Sequence, residues 1–218
     1  MLPPIHVIDF EGNRAHGIME FGLVTLENGR MKNIFYRQCS PKISPQNAPF
    51  REHSRFHGNA TQHSFAEYLP LFRARRRSGF FCAHNASVED RLLRQYTFLP
   101  PMSQNMAYHA LSDRCRASDK TPTPTQITPI TTAPSWGPWI DTYRIYRKFY
   151  SAAKHYTLAE LIRHFRLETE LQTLVTQHVN NKKLTFHRAA DDALATALLL
   201  QNFINLFHLK DIRFLLNC

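Results

Sequence analysis

The chain has 218 residues, a length that suits one domain, and its hydrophobic content of 43% is enough to build a buried core. It carries 27 Lys and Arg against 17 Asp and Glu, a formal net charge of +10. Such an excess attracts polyanions, and nucleic acid is the partner that it indicates first. An acidic membrane surface or an anionic small molecule would be attracted in the same way.

The cysteines and the apolar runs exclude several classes of protein. Four cysteines are far apart and form no C-x-x-C pair: Cys39, Cys82, Cys115 and Cys218. This spacing argues against a zinc site and against a disulfide scaffold, and it favours a reducing compartment. No signal peptide is visible, and no run approaches the ~20 apolar residues that span a bilayer. We therefore expect a soluble, cytoplasmic protein without a membrane partner.

The first part of the chain predicts an antiparallel meander. Short apolar runs rich in β-branched and aromatic residues occur at 5–10, 18–26 and 33–39, and residues 27–29 give a turn signal. Residues 41–62 contain three prolines and many polar side chains, a composition that predicts a loop on the surface.

The remaining elements alternate between helices and strands. Apolar residues recur at helical spacing after Ser64, which predicts a capped helix there. Residues 101–135 are rich in Thr and Pro without an apolar period, so we expect a long, flexible loop. Further predicted elements are a strand at 79–83, a helix from Ser87, a strand at 139–140, helices at about 143–150 and 157–165, a polar stretch, and a helix at about 187–203. This order favours one α/β domain over residues 1–218, with a mixed sheet and helices on both faces.

Asp9 and Glu11 are the first residues that indicate chemistry. Residues two apart on a strand point to the same side, so both carboxylates would project from the face that carries Ile5 and Val7. Two like charges on a buried surface need a cation, and paired hard oxygens suit Mg²⁺ or Mn²⁺. A strand that ends at Asp9 would instead leave both acids in solvent.

Two later segments bring further acids and histidines. Residues 84–90 lie where a strand meets a helix, the usual place for a site beside parallel strands. Asn85 or Ser87 could equally cap that helix, with acids that the helix dipole favours behind it. The segment from His187 opens an apolar helix in which a buried Asp192 would need a partner. A surface histidine and a solvated first turn would explain the same residues.

Together, the three segments resemble the DEDDh exonucleases, which include the proofreading subunits of bacterial DNA polymerases, oligoribonuclease and related end-trimming RNases. The pattern is Asp-x-Glu on the first strand, His-Asn-Ala-x-x-acid in the middle and His-x-Ala-x-x-Asp near the end. The resemblance runs from about residue 5 to 204, and supporting segments follow the family order at 18–22, 56–58, 64–67, 139–142 and 156–161. It implies a ribonuclease H-like fold with a five-stranded mixed sheet.

The resemblance also implies a two-metal hydrolysis of phosphodiester bonds. Asp9, Glu11 and Asp192 would hold one Mg²⁺ or Mn²⁺ ion, and Asp9 with Glu89 would hold the second. Two ions about 4 Å apart would stabilise the attacking and the leaving oxygen of an in-line displacement. His187 would be the general base for the attacking water, since histidine ionises near neutral pH.

The resemblance further implies which residues contact the substrate. Backbone N–H groups near Gly12 and Asn13 would meet the terminal nucleotide, and His57, Asn59 and Asn85 would bind it as well. Asn59 stands where the family has an Ile that wedges against the terminal base. An amide can hydrogen-bond to a base but wedges poorly, so end-fraying or base choice would differ.

Two other departures from the family pattern concern the site. The middle acid is usually Asp, whereas this chain has Glu89 followed by Asp90. The apolar Leu92 and Leu93 three and four residues further on favour Glu89 as the metal ligand. Glu is one methylene longer and would reach the metal differently. Gly12 replaces the Thr that commonly follows Asp-x-Glu.

The predicted function is a 3′-to-5′ exonuclease that releases nucleoside 5′-monophosphates from nucleic-acid 3′ ends, with single strands preferred and DNA slightly favoured. One alternative is an RNA 3′-end trimming exoribonuclease. Another is a weakly active module of the same fold that binds nucleic acid or a DNA polymerase, and a third is a basic binding protein with accidental motifs. Six arginines are candidates for contacts to the strand backbone: Arg73, Arg75, Arg76, Arg77, Arg91 and Arg94.

Overall fold

A five-stranded mixed sheet lies at the centre of the protein. We analysed a computed structural model of the chain, which describes residues 2–41, 63–96, 136–151, 154–179, 183–216 and 218. The strands are β1 (Ile5–Asn13), β2 (Gly17–Glu27), β3 (Arg30–Gln38), β4 (Phe80–Ala83) and β5 (Trp139–Asp141). Their order is β3-β2-β1-β4-β5. β2 pairs antiparallel with β1 and β3, whereas β4 pairs parallel with β1 and β5.

The first three strands form the predicted antiparallel meander. β1 is longer than predicted, because it continues past Glu11 through a bulge at Gly12. β2 and β3 are joined by Asn28 and Gly29, which have φ angles of 52° and 75°. An Asn-Gly pair adopts this conformation readily, and its backbone twist matches that of the two strands.

Helices cover the sheet. They are α1 (Phe65–Ser78), α2 (Ala86–Arg94), α3 (Thr142–Phe149), α4 (Leu158–His164), α5 (Glu168–His178), α6 (Ala189–Leu206) and α7 (Arg213–Leu216). The predicted cap of α1 is confirmed as a capping box: Ser64 accepts a hydrogen bond from the backbone of the first turn, and the Glu67 side chain accepts one from the Ser64 backbone.

The helices differ from the predictions at three places. The polar stretch expected before the last long helix is itself helical, as α5. In α5 only Leu171 and Val175 are fully buried, and one such pair among polar residues gives a weak helical period. α6 begins two residues later than predicted, because His187 has a left-handed φ of 65°. α7 was not predicted.

The two faces of the sheet build two hydrophobic clusters, as the alternation along β1 requires. Ile5 and Val7 point to the face covered by α6, and Ile8 and Phe10 point to the face covered by α1 and α2. α6 is buried at every position from Ala189 to Leu200. The prediction of a mixed sheet with helices on both faces is therefore confirmed.

Several predictions lie outside the described residues. These are the surface loop beyond Pro41, which includes His57 and Asn59, and the Thr/Pro-rich loop at 101–135. Among the helices that the structure describes, none is long and apolar enough to cross a bilayer.

Candidate functional site

Asp9 and Glu11 lie on the face of β1 that α6 covers. Both side chains are half-buried. Burial raises the pKa of Asp9 well above its ordinary value, and the carboxylates of Glu89, Asp192 and Glu11 raise it further. Burial also raises the pKa of Glu11, against an opposing effect of His187. These acids therefore belong to one electrostatic cluster, as expected for carboxylates that face a covered surface.

Glu89, on α2, belongs to the same cluster. It is only 4% exposed, and its Oε2 accepts a hydrogen bond of 3.1 Å from the backbone N–H of Phe10 in β1. Burial raises its pKa to about 8, the Phe10 N–H opposes that rise, and Glu11 and Asp192 add to it. The backbone bond fixes the Glu89 carboxylate directly beside the strand that carries Asp9.

Asp90 points away from the cluster. Its Oδ1 accepts a hydrogen bond of 3.0 Å from the indole N–H of Trp139, and its Oδ2 accepts one from Arg94. Adjacent residues on a helix differ in direction by about 100°, so only one of the two acids can face β1. The structure places Glu89 there, in agreement with the register expected from Leu92 and Leu93, which are both buried.

Asp192 joins the cluster from the first turn of α6. Its side chain is 7% exposed, and its Oδ2 accepts a hydrogen bond of 3.0 Å from the backbone N–H of His187. Its Oδ1 is buried and has no hydrogen-bond partner. Burial raises the pKa of Asp192 to about 7, and the carboxylates of Glu11, Asp191 and Glu20 add to this rise.

His187 reaches the cluster from the residues just before α6. Its imidazole is exposed, and one of its ring nitrogens lies within 4.8 Å of a carboxylate oxygen of both Glu11 and Asp192. Its backbone has the left-handed φ of 65°, which is uncommon outside glycine. Such strain persists where surrounding contacts enforce it, here the bond from the His187 N–H to Asp192.

Two acids near the cluster were not assigned a role by the sequence. Glu20 lies opposite Glu11 in the pairing of β1 with β2, is 7% exposed and accepts a backbone hydrogen bond from Ala190. Asp191 is fully buried, and its Oδ2 accepts a bond of 2.9 Å from the Thr185 N–H. The sequence did offer a signal for Glu20, because it is an acid within the otherwise apolar run of β2.

The predicted substrate-binding residues that the structure describes lie at the ends of β1 and β4. Gly12 and Asn13 are exposed, and the Asn13 side chain accepts bonds from the backbone N–H groups of Ala15 and His16. A Cβ at Gly12 would overlap the carbonyl oxygen of Gly17, so the bulge requires glycine and excludes a Thr here. Asn85 is exposed at φ 68° and makes no capping bond to α2.

Three of the six candidate arginines make side-chain hydrogen bonds within the protein, and one of these is Arg77, which donates to the Arg73 carbonyl at 3.3 Å. Arg76 donates to the backbone carbonyls of Trp136 and Gly137, and Arg94 pairs with Asp90. The guanidinium of Arg76 therefore joins α1 to the segment before β5.

The carboxylates fit a divalent metal ion. Asp9, Glu11, Glu89 and Asp192 come from three elements, and each has a raised pKa that burial causes. Among the neighbouring cations, Arg188 acts on Glu20 and Asp191 rather than on these four. Within the described residues, clustered carboxylates that only His187 opposes, at Glu11, and a buried Asp192 Oδ1 without a hydrogen-bond partner match the hard oxygen ligands that Mg²⁺ and Mn²⁺ prefer.

Comparisons with known proteins identify the fold. No model of a known protein family matches the sequence, and no curated protein matches it. A solved structure of exonuclease X in complex with 5′ overhanging duplex DNA is similar over 94% of each chain, with a TM-score of 0.55 and 23% sequence identity. Similarity at this level of identity establishes the architecture. The chain therefore has the predicted ribonuclease H-like fold, a mixed five-stranded α/β sheet flanked by helices.

Proposed function

We propose that the protein is a metal-dependent 3′-to-5′ exonuclease of the DEDDh type, which hydrolyses phosphodiester bonds at nucleic-acid 3′ ends and releases nucleoside 5′-monophosphates. The observation that carries this proposal is the convergence of four buried or half-buried carboxylates from β1, α2 and α6, with His187 beside two of them. A ribonuclease H-like sheet holds these elements in place.

Each residue has a defined task in this proposal. Asp9, Glu11, Glu89 and Asp192 would bind two Mg²⁺ or Mn²⁺ ions, and Asp9 would be shared because it interacts with the other three carboxylates. When bound, the ions would supply positive charge to the attacking and the leaving oxygen. His187 would accept the proton of the attacking water, since its exposed imidazole lies next to Glu11 and Asp192.

The proposed substrate is a strand end of DNA, with RNA as the next candidate. The net charge of +10 supports a polyanionic substrate. The similar exonuclease X was solved with DNA, which supports the preference for DNA in this chain. Gly12 and Asn13 at the end of β1 and Asn85 just after β4 are exposed at one edge of the sheet, because the two strands are parallel. A terminal nucleotide would contact them there.

Cleavage of labelled oligonucleotides tests this proposal. DNA and RNA of one sequence, each labelled at the 5′ end in one sample and at the 3′ end in another, are incubated with Mg²⁺, Mn²⁺ or a chelator. We expect a ladder that shortens from the 3′ end, mononucleotide products and no cleavage with chelator. Purified Asp9→Ala protein controls for contaminating nucleases. Faster cleavage of RNA would favour the exoribonuclease, and strand binding without cleavage would favour the binding module.

A further inference from the structure

Asp141 is an acid outside the cluster whose position bears on it. It is the last residue of β5 and lies beside Ala83 at the end of β4. Its carboxylate accepts three backbone hydrogen bonds: Oδ1 accepts from Asn85 at 3.2 Å and from Arg144 at 3.3 Å, and Oδ2 accepts from Ala86 at 3.2 Å. Its side chain is 12% exposed. One carboxylate thus binds the N-termini of both α2 and α3.

The N-terminus of α2 is capped by Asp141, a residue of β5. Asn85 occupies the N-cap position of α2, but it has a left-handed φ of 68° and its side chain makes no capping bond. Its Oδ1 instead accepts a bond of 2.9 Å from the Ser87 hydroxyl. The first N–H groups of a helix need an acceptor, and a carboxylate is favoured there by the helix dipole. Asp141 supplies that acceptor from 55 residues further along the chain.

A second set of contacts connects the ends of β4 and β5. The Thr142 hydroxyl donates to the Ala83 carbonyl at 3.3 Å and lies 2.9 Å from Nδ1 of His84. Nε2 of His84 lies 2.7 Å from the carbonyl oxygen of Tyr156. The residues that precede α2 are therefore bound by Thr142, at His84, and by Asp141, at Asn85.

The position of α2 decides the position of Glu89. Glu89 lies in the first turn of α2, three residues after Ala86, which Asp141 binds. The Glu89 carboxylate itself accepts a hydrogen bond from the Phe10 N–H of β1. A shift or rotation of α2 would move this carboxylate relative to Asp9, with which it interacts.

We propose that Asp141 is a positioning residue for the metal centre: by holding the N-terminus of α2, it fixes the Glu89 carboxylate where a divalent ion shared with Asp9 binds. The inference rests on the proposed function, because it assigns Glu89 to the metal. Groups that orient metal ligands without touching the ion commonly change metal affinity when they are replaced.

Thermal unfolding with increasing Mn²⁺ tests the role of Asp141 without an activity assay. The variants are Asp141→Ala and the milder Asp141→Asn, which keeps one acceptor oxygen and guards against a variant that fails to fold. Thr157→Ala is the matched control, because Thr157 caps α4 by accepting a bond of 3.3 Å from the Glu160 N–H, and α4 carries none of the clustered acids. Asp141→Ala loses the caps of α2 and α3, Asp141→Asn loses part of them, and Thr157→Ala loses the cap of α4. All three variants are therefore expected to melt a few degrees lower in chelator.

The Mn²⁺ concentration that gives half of the maximal stabilisation distinguishes a positioning role of Asp141 at the metal centre from a general effect of the substitution on stability. It should rise about tenfold or more in Asp141→Ala, rise less in Asp141→Asn, and stay at the wild-type value in Thr157→Ala. Unchanged Mn²⁺ midpoints in both Asp141 variants would overturn the inference while leaving the metal site of the wild type intact. A wild type that Mn²⁺ does not stabilise would overturn the proposed metal centre itself, and the inference with it.

Discussion

The N-termini of α2 and α6 each deliver an acid to the cluster, but their hydrogen bonding differs. At α2, Asp141 accepts from the first N–H groups, and Glu89 itself accepts from the Phe10 N–H. At α6, the side chain of the N-cap residue Arg188 makes no capping bond. Asp191 and Asp192 accept hydrogen bonds from backbone N–H groups that precede the helix. Asp191 and Asp192 both keep a buried Oδ1 without a partner.

This difference indicates where the metal-free protein has buried carboxylate oxygens without hydrogen-bond partners. A carboxylate near a helix N-terminus is favoured by the dipole, so both positions suit an acid. A buried carboxylate oxygen without a hydrogen bond is unfavourable, because water no longer solvates it. At α2, Asp141 accepts from the first N–H groups and one oxygen of Glu89 accepts from the Phe10 N–H. At α6, the buried Oδ1 of Asp192 has no hydrogen-bond partner, and a cation would satisfy it. The α6 terminus should therefore respond most to metal.

Removal of Asp9 should have the largest effect, because this residue interacts with the acids of both helices. We expect Asp9→Ala to lower metal-dependent cleavage on the order of 10³-fold, the upper end of the range that follows the loss of a central electrostatic contact. The folded protein should persist, and in chelator it should melt no lower than wild type, since the mutation removes a source of repulsion. Cleavage assays and melting curves check both statements. Near-normal cleavage by this variant would contradict a shared metal ligand.

Replacement of His187 tests the α6 terminus alone. His187→Ala should lower the turnover rate by about 10²–10⁴-fold, the usual contribution of a general base. Strand affinity should change little, because the imidazole is exposed and interacts with the acids rather than with a basic surface. Single-turnover cleavage and a separate binding measurement in chelator distinguish rate from affinity. A variant with wild-type rate would make His187 a purely structural residue.

Neighbouring acids on α2 provide an internal control at the other terminus. Glu89→Gln should keep the bond from the Phe10 N–H but lose the charge, and the cleavage rate should fall about 10²-fold. Asp90→Asn should stay within about twofold, because Asp90 binds Trp139 and Arg94 outside the cluster and exposed ion pairs contribute little. Glu89→Asp should retain activity and shift the preference between Mg²⁺ and Mn²⁺. An inactive Asp90→Asn beside an active Glu89→Gln would show that α2 presents the other acid.

The sequence was sufficient for those parts of the site that depend on local periodicity. Residues two apart on β1 had to share a face, and the spacing of Leu92 and Leu93 placed Glu89 rather than Asp90 inward. The capping box at Ser64 was equally local. The order of three acidic segments then indicated the fold, which the structure confirms.

What the sequence missed depends on contacts between distant residues. Glu20 is bound by the backbone of Ala190, and Asp141 is bound by the backbones of Asn85 and Ala86. No periodicity of the sequence indicates such pairs. The left-handed backbone of His187 is likewise enforced by the bond to Asp192. These three contacts depend on how distant segments pack together on the sheet, and not on local secondary-structure propensity.

The pH dependence of unfolding, with and without metal, tests the metal centre most directly. Because the pKa of Glu89 is raised to about 8 and that of Asp192 to about 7, these two carboxyls hold protons in the folded chain between about pH 4 and pH 8 that they lose in the unfolded chain. Without metal, stability should therefore be greatest in mild acid and fall as the pH rises through both values. Mn²⁺ should reverse the trend, because the ion binds the deprotonated carboxylates.

Melting temperatures measured in chelator and in Mn²⁺ across that pH range test in one experiment whether these acids form a metal centre. We predict that the two curves meet in mild acid and separate steadily towards alkaline pH, with the metal-bound protein more stable. Asp9→Ala should show a flatter curve in chelator and little response to Mn²⁺. A wild-type protein whose melting temperature neither falls with pH in chelator nor rises with Mn²⁺ would contradict a metal centre built from these acids.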